Sequence, residues 1–331
     1  MNVAKELFST NAVELSSDEI LSKYRIRNDS GTGTLSCYFI APGIYLCYND
    51  IHLSGFLQTY ESDKKILQIH HCFEGRAEYQ MSNGVFGYSK PGSIAIYNWK
   101  NKPVKLTFPI SHYHGISILL DLDILNEKGR NMLFESFNID FMAINNRFCD
   151  SGNFFTMEAD KDINHLLSEL YYIPEKLKIP YIKLKVMELL LILANQNSET
   201  TTEIEQYYKK ETVAKVKRIA ALLADDLKKH YTISELSRMF NMSQTSLKTS
   251  FKGIYGKPIY TYLKECRMLS AAYMLKNTDY SIAKISAMVG YENSSKFTSA
   301  FKSVLKATPT AYRRSSENCT GHDTVLKFKK Q

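Results

Sequence analysis

Between about residues 35 and 120, apolar positions come in short runs rich in Tyr, Phe and Ile, such as GIYLCY, ILQIHHCF, RAEYQM, VKLTF and HGISILLDL. Turn signals separate the runs. Asn83-Gly84 is a two-residue hairpin signature, and Lys90-Pro91-Gly92 marks another break. Many short antiparallel strands at this spacing predict a β-barrel or jelly roll. After Asp121 the period becomes helical. Helices are expected near 122–137, 160–173 and 180–196, with an irregular stretch around 138–157. Pro174 and Pro180 bracket the connection between the last two. In the final helix Ile182, Val186, Leu189, Leu190 and Leu193 form an apolar stripe that suits inward packing, a homodimer interface, or both at once. Residues 1–34 are polar, end in DSGTGT and read as a short helix followed by an arm.

The C-terminal part repeats itself. TISELSRMFNMSQTSLKTSFKGIYGKPIYTYL returns as SIAKISAMVGYENSSKFTSAFKSVLKATPTAYRR, at an offset of 49 positions before the turn and 50 after it. Each copy reads as helix, tight turn, helix, and two such units in series present two helices to DNA. Thr232 and Glu235 make a capping box, so a helix begins at Ile233. Asn241 and Gly290 stand where each first helix must stop, and Ser243 and Asn293 cap the second helices. Leu247 and Phe251, then Phe297 and Phe301, are the buried i, i+4 pairs. That leaves Gln244, Thr245, Lys248, Thr249 and Lys252 facing out in the first copy. In the second the outward set is Ser294, Ser295, Lys296, Thr298, Ser299 and Lys302. Hydroxyls and lysines suit a helix in a major groove, and the first helix has the better base-reading chemistry.

Charge sharpens this picture. The 331 residues carry a net +8, yet Lys209–Arg314 holds 20 Lys and Arg against 7 Asp and Glu, a local net of +13 that leaves −5 elsewhere. Only the C-terminal part is suited to a polyanion. A polar run, 197–208, reads as the linker between 35–196 and 209–314, with 315–331 a tail. The six cysteines show no CxxC spacing and read as reduced thiols. The N-terminus lacks a signal-like apolar core, and the longest apolar run, Leu189–Ala194, is too short to span a bilayer. A cytoplasmic protein with no membrane partner is expected.

The NMSxxxLxxxFKxxxG string ending at Gly256, Arg267 followed by Ala271 and Leu275, and ISAMVGYENSSKFTSAFKSVLKATPTAYR resemble the AraC/XylS family of transcription regulators over about Glu211–Arg314. The resemblance implies seven helices, a long one near 258–276 holding the two motifs one DNA turn apart. It puts base reading on Thr245, Lys248, Thr249, Ser294, Ser295 and Ser299, and backbone contact on Lys252 and Lys302. Arg267 joins the DNA-binding set. Promoter double-stranded DNA and RNA polymerase are the partners it implies. Lys306 stands where many relatives have Gly, which predicts strain or another turn geometry there. HHCFEGRAEY, Pro91-Gly92 and HYHGISILLDL resemble sensing domains of regulators that control siderophore-uptake genes.

Alternation places Leu67, Ile69, His71 and Phe73 on one strand face, and Ile110, His112, His114, Ile116, Ile118 and Leu120 on another. His71, His112 and His114 are thereby expected inside a cupin-like barrel, with Arg76, Tyr79, Tyr97 and Trp99 as neighbours for a small-molecule effector. The adjacent pair His70-His71 breaks the usual metal-cupin pattern, so no metal, cofactor or catalytic residue is assigned. The expected protein is α+β: an N-terminal cupin-like β-barrel with a helical hairpin (about 160–196), and a C-terminal all-α domain with two helix-turn-helix motifs. Its expected role is an effector-modulated DNA-binding regulator, an activator and not an enzyme. The alternative is a metal-dependent cupin enzyme or metal-chelate sensor fused to a DNA-binding domain.

Overall fold

Alternation of buried and exposed positions begins earlier in the chain than the turn signals suggest. The computed structural model describes residues 12–57, 64–127, 137, 139–149, 155–195 and 208–317. Two compact units divide at Lys209 and Lys210. Positions 197–207 of the expected linker lie outside the described residues, as do 318–331 of the expected tail.

The first unit contains β1 (Ala12–Ser17), β2 (Leu21–Asn28), β3 (Gly31–Ala41), β4 (Ile44–His52), β5 (Gly55–Leu57), β6 (Ile66–Gly75) and β7 (Ala77–Gln80). It continues with β8 (Val85–Ser89), β9 (Ser93–Asn98), β10 (Lys105–Thr107), β11 (Tyr113–Asp121), β12 (Phe155–Glu158) and β13 (Tyr208–Lys209). Its helices are α1 (Leu122–Leu125), α2 (Phe141–Cys149), α3 (Lys161–Tyr171) and α4 (Lys178–Asn195). Strands pair as two separate sheets, in the orders β1-β2-β3-β4-β11-β6-β9-β12 and β13-β8-β7-β10-β5. The expected barrel is therefore not closed. The Asn83-Gly84 turn joins β7 to β8, with Gly84 at φ +79° and the Met81 amide donating to the Val85 carbonyl.

Parity along β6 decides the layers. Leu67 and Ile69 pack with Ile116, Ile118 and Leu120 against Leu166, Leu170, Ile182, Val186, Leu190 and Leu193 of the α3–α4 hairpin. Cys72, one position out of phase, packs with Tyr97, Tyr79, Phe56 and Leu106 between the sheets. The face carrying His71 and His114 thus turns toward the helical side, not into a barrel. The hairpin matches the expected 160–173 and 180–196. Its apolar stripe corrects the interface expectation: Ile182, Val186, Leu189, Leu190 and Leu193 are 0–1% exposed within the chain's own core. Each such burial is worth roughly 1.5–3 kcal/mol of transfer free energy, which holds the stripe inward.

Three further expectations change. Residues 12–28 form β1 and β2 rather than a helix and arm: Tyr24 and Ile26 of β2 are buried while Lys23, Arg25 and Arg27 are exposed, and β1 pairs with β2. The helix expected over 122–137 is described only as α1, and the "irregular" 138–157 contains α2 and β12. Cys37 and Cys47, register partners on β3 and β4, form a disulfide instead of remaining reduced. Cys72, Cys149 and Cys266 are free.

The second unit has seven helices between Lys210 and Glu317: α5 (Lys210–Asp225), α6 (Ile233–Met239), α7 (Gln244–Tyr255), α8 (Ile259–Asn277), α9 (Ile282–Met288), α10 (Ser294–Leu305) and α11 (Pro309–Glu317). The last of these extends to 317, into the expected tail. Met268, Ala271 and Leu275 of α8 pack under Ile285, Val289, Phe297 and Phe301. No described helix is long and apolar enough to cross a membrane. Gly256 caps α7 in the left-handed conformation at φ +77°, and Lys306 caps α10 at φ +60°. Lys306 therefore carries the strain its side chain implies, of about 1 kcal/mol. Lys306→Gly is expected to raise the melting temperature by a few degrees; thermal unfolding followed by circular dichroism measures it, and a lower temperature contradicts the strained cap.

Candidate nucleic-acid interface

Both helix-turn-helix motifs close by the same hydrogen bonds. The Met242 amide donates to the Ser237 carbonyl at 3.0 Å, and the Tyr291 amide to the Ser286 carbonyl at 3.0 Å. One residue earlier the amides of Asn241 and Gly290 donate to Arg238 and Ala287. This is the Schellman pattern, and its left-handed residue is Asn241 at φ +48° in one copy and Gly290 at φ +81° in the other. A second bond, invisible to hydrophobic patterning, repeats with it. The Ser237 hydroxyl donates to the Met242 carbonyl, and the Ser286 hydroxyl to the Tyr291 carbonyl. Thr232 and Glu235 make the full capping box, and Ser243 and Asn293 cap α7 and α10 through their side chains.

These caps fix which sides of α7 and α10 are free. Leu247, Phe251, Phe297 and Phe301 are wholly buried. Gln244, Thr245, Lys248, Thr249 and Lys252 are exposed on α7. Ser294, Ser295, Lys296, Ser299 and Lys302 are exposed on α10, while Thr298 is half-buried. Lys264 of α8 joins the second surface by lining an open groove of about 450 Å³ with Ser295, Lys296, Ser299, Ala300 and Ser303. Sequence reasoning missed Lys264 because its helix is not a recognition helix. Two lysines and three hydroxyls around one groove supply donors suited to phosphate oxygens.

Arg267 does not belong to this surface. It is 6% exposed, and its Nε donates to the Leu227 carbonyl at 2.9 Å and its Nη2 to that of Lys229 at 3.5 Å. Its guanidinium stands 5.7 Å from the Tyr291 ring centre. Burial lowers its pKa, and the Tyr291 side chain opposes that shift. Gly290 makes room for this arrangement: a Cβ there would stand 2.6 Å from the Leu227 carbonyl oxygen and 3.0 Å from Arg267 Nη2. Arg267 therefore ties the loop before the first motif to the turn of the second.

The expected effector residues do not converge. Tyr79, Tyr97 and Trp99 lie between the sheets. The inward histidine there is His70, whose Nε2 is 2.9 Å from the Tyr97 hydroxyl and whose Nδ1 is 2.8 Å from that of Ser117. His71 takes the opposite face, 3.3 Å from the Tyr171 hydroxyl. Burial pushes His70 down to about 3 and His71 to about 4, so both are neutral near pH 7. Arg76 is buried beside Cys72, Tyr88 and Tyr208, which offset part of the lowering that burial imposes on it. His112 and His114 sit partly exposed at a strand end beside His52, which sequence reasoning did not single out.

A family profile described as a helix-turn-helix domain matches residues 236–315. An uncharacterized HTH-type transcriptional regulator, YdiP of Escherichia coli K12, is 32% identical over 137 residues, covering 41% of this chain and 45% of that protein. The HTH-type transcriptional activator RhaR of Mannheimia succiniciproducens is 29% identical over 101 residues, covering 30% and 37%. The chain thus spans less than half the length of these two relatives. Among solved structures, the C-terminal domain of AraT, a response regulator from Geobacillus stearothermophilus, is 27% identical, covering 30% of this chain and 84% of that one, with a TM-score of 0.30.

Arg267→Ala is expected to cost about 3 kcal/mol of stability in chemical denaturation, from two lost charge-assisted bonds and an emptied site. Arg267→Lys should restore little, since one ammonium cannot span both carbonyls and stack on Tyr291. Unchanged stability with weakened DNA binding would return Arg267 to the interface.

Proposed function

We propose that the C-terminal domain is of the AraC/XylS family of transcription regulators and that the protein is a transcription activator. It seats α7 and α10 in successive major grooves of promoter DNA. The observation that carries this reading is the duplicated motif, whose two second helices expose polar and cationic side chains in a segment of net charge +13. Thr245, Lys248 and Thr249 are the base-reading group of the first helix; Ser294, Ser295 and Ser299 take that place in the second. Lys252, Lys302, Lys296 and Lys264 serve the phosphates.

The N-terminal unit is the sensing part, of cupin-like descent, and takes a small-molecule effector. Its inter-sheet layer supports this, because His70, Ser117, Tyr97 and Gln68 bring hydrogen-bonding groups in among buried apolar side chains. Effector binding shifts the population of states competent for promoter binding. RNA polymerase and a second copy of the chain are the remaining partners, and the protein works in the cytoplasm. The homodimer must use a surface other than the α4 stripe, which the core consumes. The rival reading, a metal-dependent cupin enzyme fused to a DNA-binding domain, is not favoured, because the similar proteins are named as regulators.

Selection from random duplexes by the full-length chain is expected to enrich a preferred sequence. Lys248→Ala should then lower affinity for it about tenfold and lower non-specific affinity much less. Absence of any enriched sequence contradicts the proposal, and equal losses would assign Lys248 to the phosphate backbone.

A further inference from the structure

Three neighbouring strands of the larger sheet carry one cluster of imidazoles and carboxylates. β11 runs between β4 and β6, and His114 stands opposite Asp50 on one side and Glu74 on the other. A register shift at His114 and Gly115 leaves Phe73 as an extra residue on β6, which re-aims Glu74 onto the histidine's row. Two residues beyond Asp50, His52 returns to the same face of β4. His112 is delivered by the turn before β11, where Ser111 has φ +51°. Gly75, at φ +85°, permits this turn: a Cβ there would lie 2.0 Å from the His112 carbonyl oxygen.

The three rings gather at centroid distances of 4.6 Å (His112–His114), 5.2 Å (His52–His112) and 5.4 Å (His52–His114). Each offers one nitrogen, and these atoms lie within 4.8 Å of one another. Carboxylates occupy the other sides of the rings. Asp50 Oδ1 is 2.7 Å from Nε2 of both His52 and His114, and Glu74 Oε2 is 3.4 Å from His112 Nε2. An imidazole that gives its Nε2 proton to a carboxylate presents a lone pair at Nδ1. The Nδ1 atoms of His52 and His112 face each other at 3.4 Å. Two lone pairs so placed repel unless a proton or a metal cation stands between them. A tetrahedral ion with bonds of about 2.0–2.1 Å separates its nitrogens by roughly 3.3 Å, close to the spacing seen.

We infer that His52, His112 and His114 form a binding site for one divalent transition-metal ion of the Zn²⁺ class, with Asp50 and Glu74 orienting the rings. All-imidazole donors with no thiolate suit Zn²⁺ and its neighbours better than Mg²⁺ or Ca²⁺. Carboxylates behind the rings are the usual second layer of such sites, fixing tautomer and direction. The fourth position falls to water. Neither the DNA-binding surface nor the inter-sheet residues take part, so the inference stands apart from the proposed function.

Calorimetric titration of the chelator-stripped full-length chain with Zn²⁺ is expected to show one ion per chain. The Co²⁺-loaded protein should show visible bands of nitrogen and oxygen ligation without a thiolate charge-transfer band. His52→Ala and His114→Ala should each weaken binding by at least about tenfold, and Asp50→Asn by roughly tenfold. His165→Ala, an exposed histidine on α3, should change nothing. Lack of stoichiometric binding, a thiolate band in the Co²⁺ protein, or full affinity in both histidine variants would overturn the site. The Co²⁺ spectrum is read on the unaltered chain, so it stands even where a variant fails to fold.

Discussion

The Arg267 guanidinium reaches from α8 to the carbonyls of Leu227 and Lys229 on one side and the Tyr291 ring on the other. Those contacts join the loop that precedes the first motif to the turn of the second. A cationic group buried to 6% exposure persists only if its donors are met, and here two carbonyls and a ring face meet them. The position of each motif on the long helix is therefore set by more than its apolar underside. Gly290 is part of the same constraint, since any side chain there would strike the Leu227 carbonyl that Arg267 holds. Two recognition helices serve two successive grooves only if their spacing is fixed. Arg267 supplies a rigid reason for that spacing.

Around this fixed frame the two halves differ in chemistry. The first outward helix has Gln244 and Lys248 beside its threonines, while the second is rich in serines. Lys264 and Lys296 flank those serines across one open groove, giving the second half charge and hydroxyls rather than base-discriminating amides. In the proposed reading, that difference gives discrimination to the first helix and anchoring to the second. The first unit is built on a separate principle, a sheet clamped between a helical hairpin and a smaller sheet, with strand parity deciding which side chains enter which layer.

The DNA-binding domain was largely legible in the sequence because its signals are local. Thr232 with Glu235, Asn241, Gly290, Ser243 and Asn293 announce their caps and turns within a few residues, and the structure uses them all. Arg267 was misassigned for the opposite reason: its partners lie 38 and 40 residues away, and no periodicity reports such contacts. In the first unit, parity showed correctly that His71 and His112 occupy different environments from His70, but not which face was the interior. Strand β2 was hidden by charged residues alternating with Tyr24 and Ile26. The extra Phe73 shifted Glu74 out of its expected phase, so the imidazole cluster could not be read from alternation alone. The α4 stripe was correctly apolar, yet only packing could decide whether the core or a partner used it.

The most direct test of the two-groove account is guanine protection on the preferred duplex by the full-length chain. Two patches of protection on one face, about one helical turn apart, are the outcome the Arg267-fixed spacing requires. A single patch within one major groove, with the second helix's serines and Lys296 contributing no protection, would contradict it.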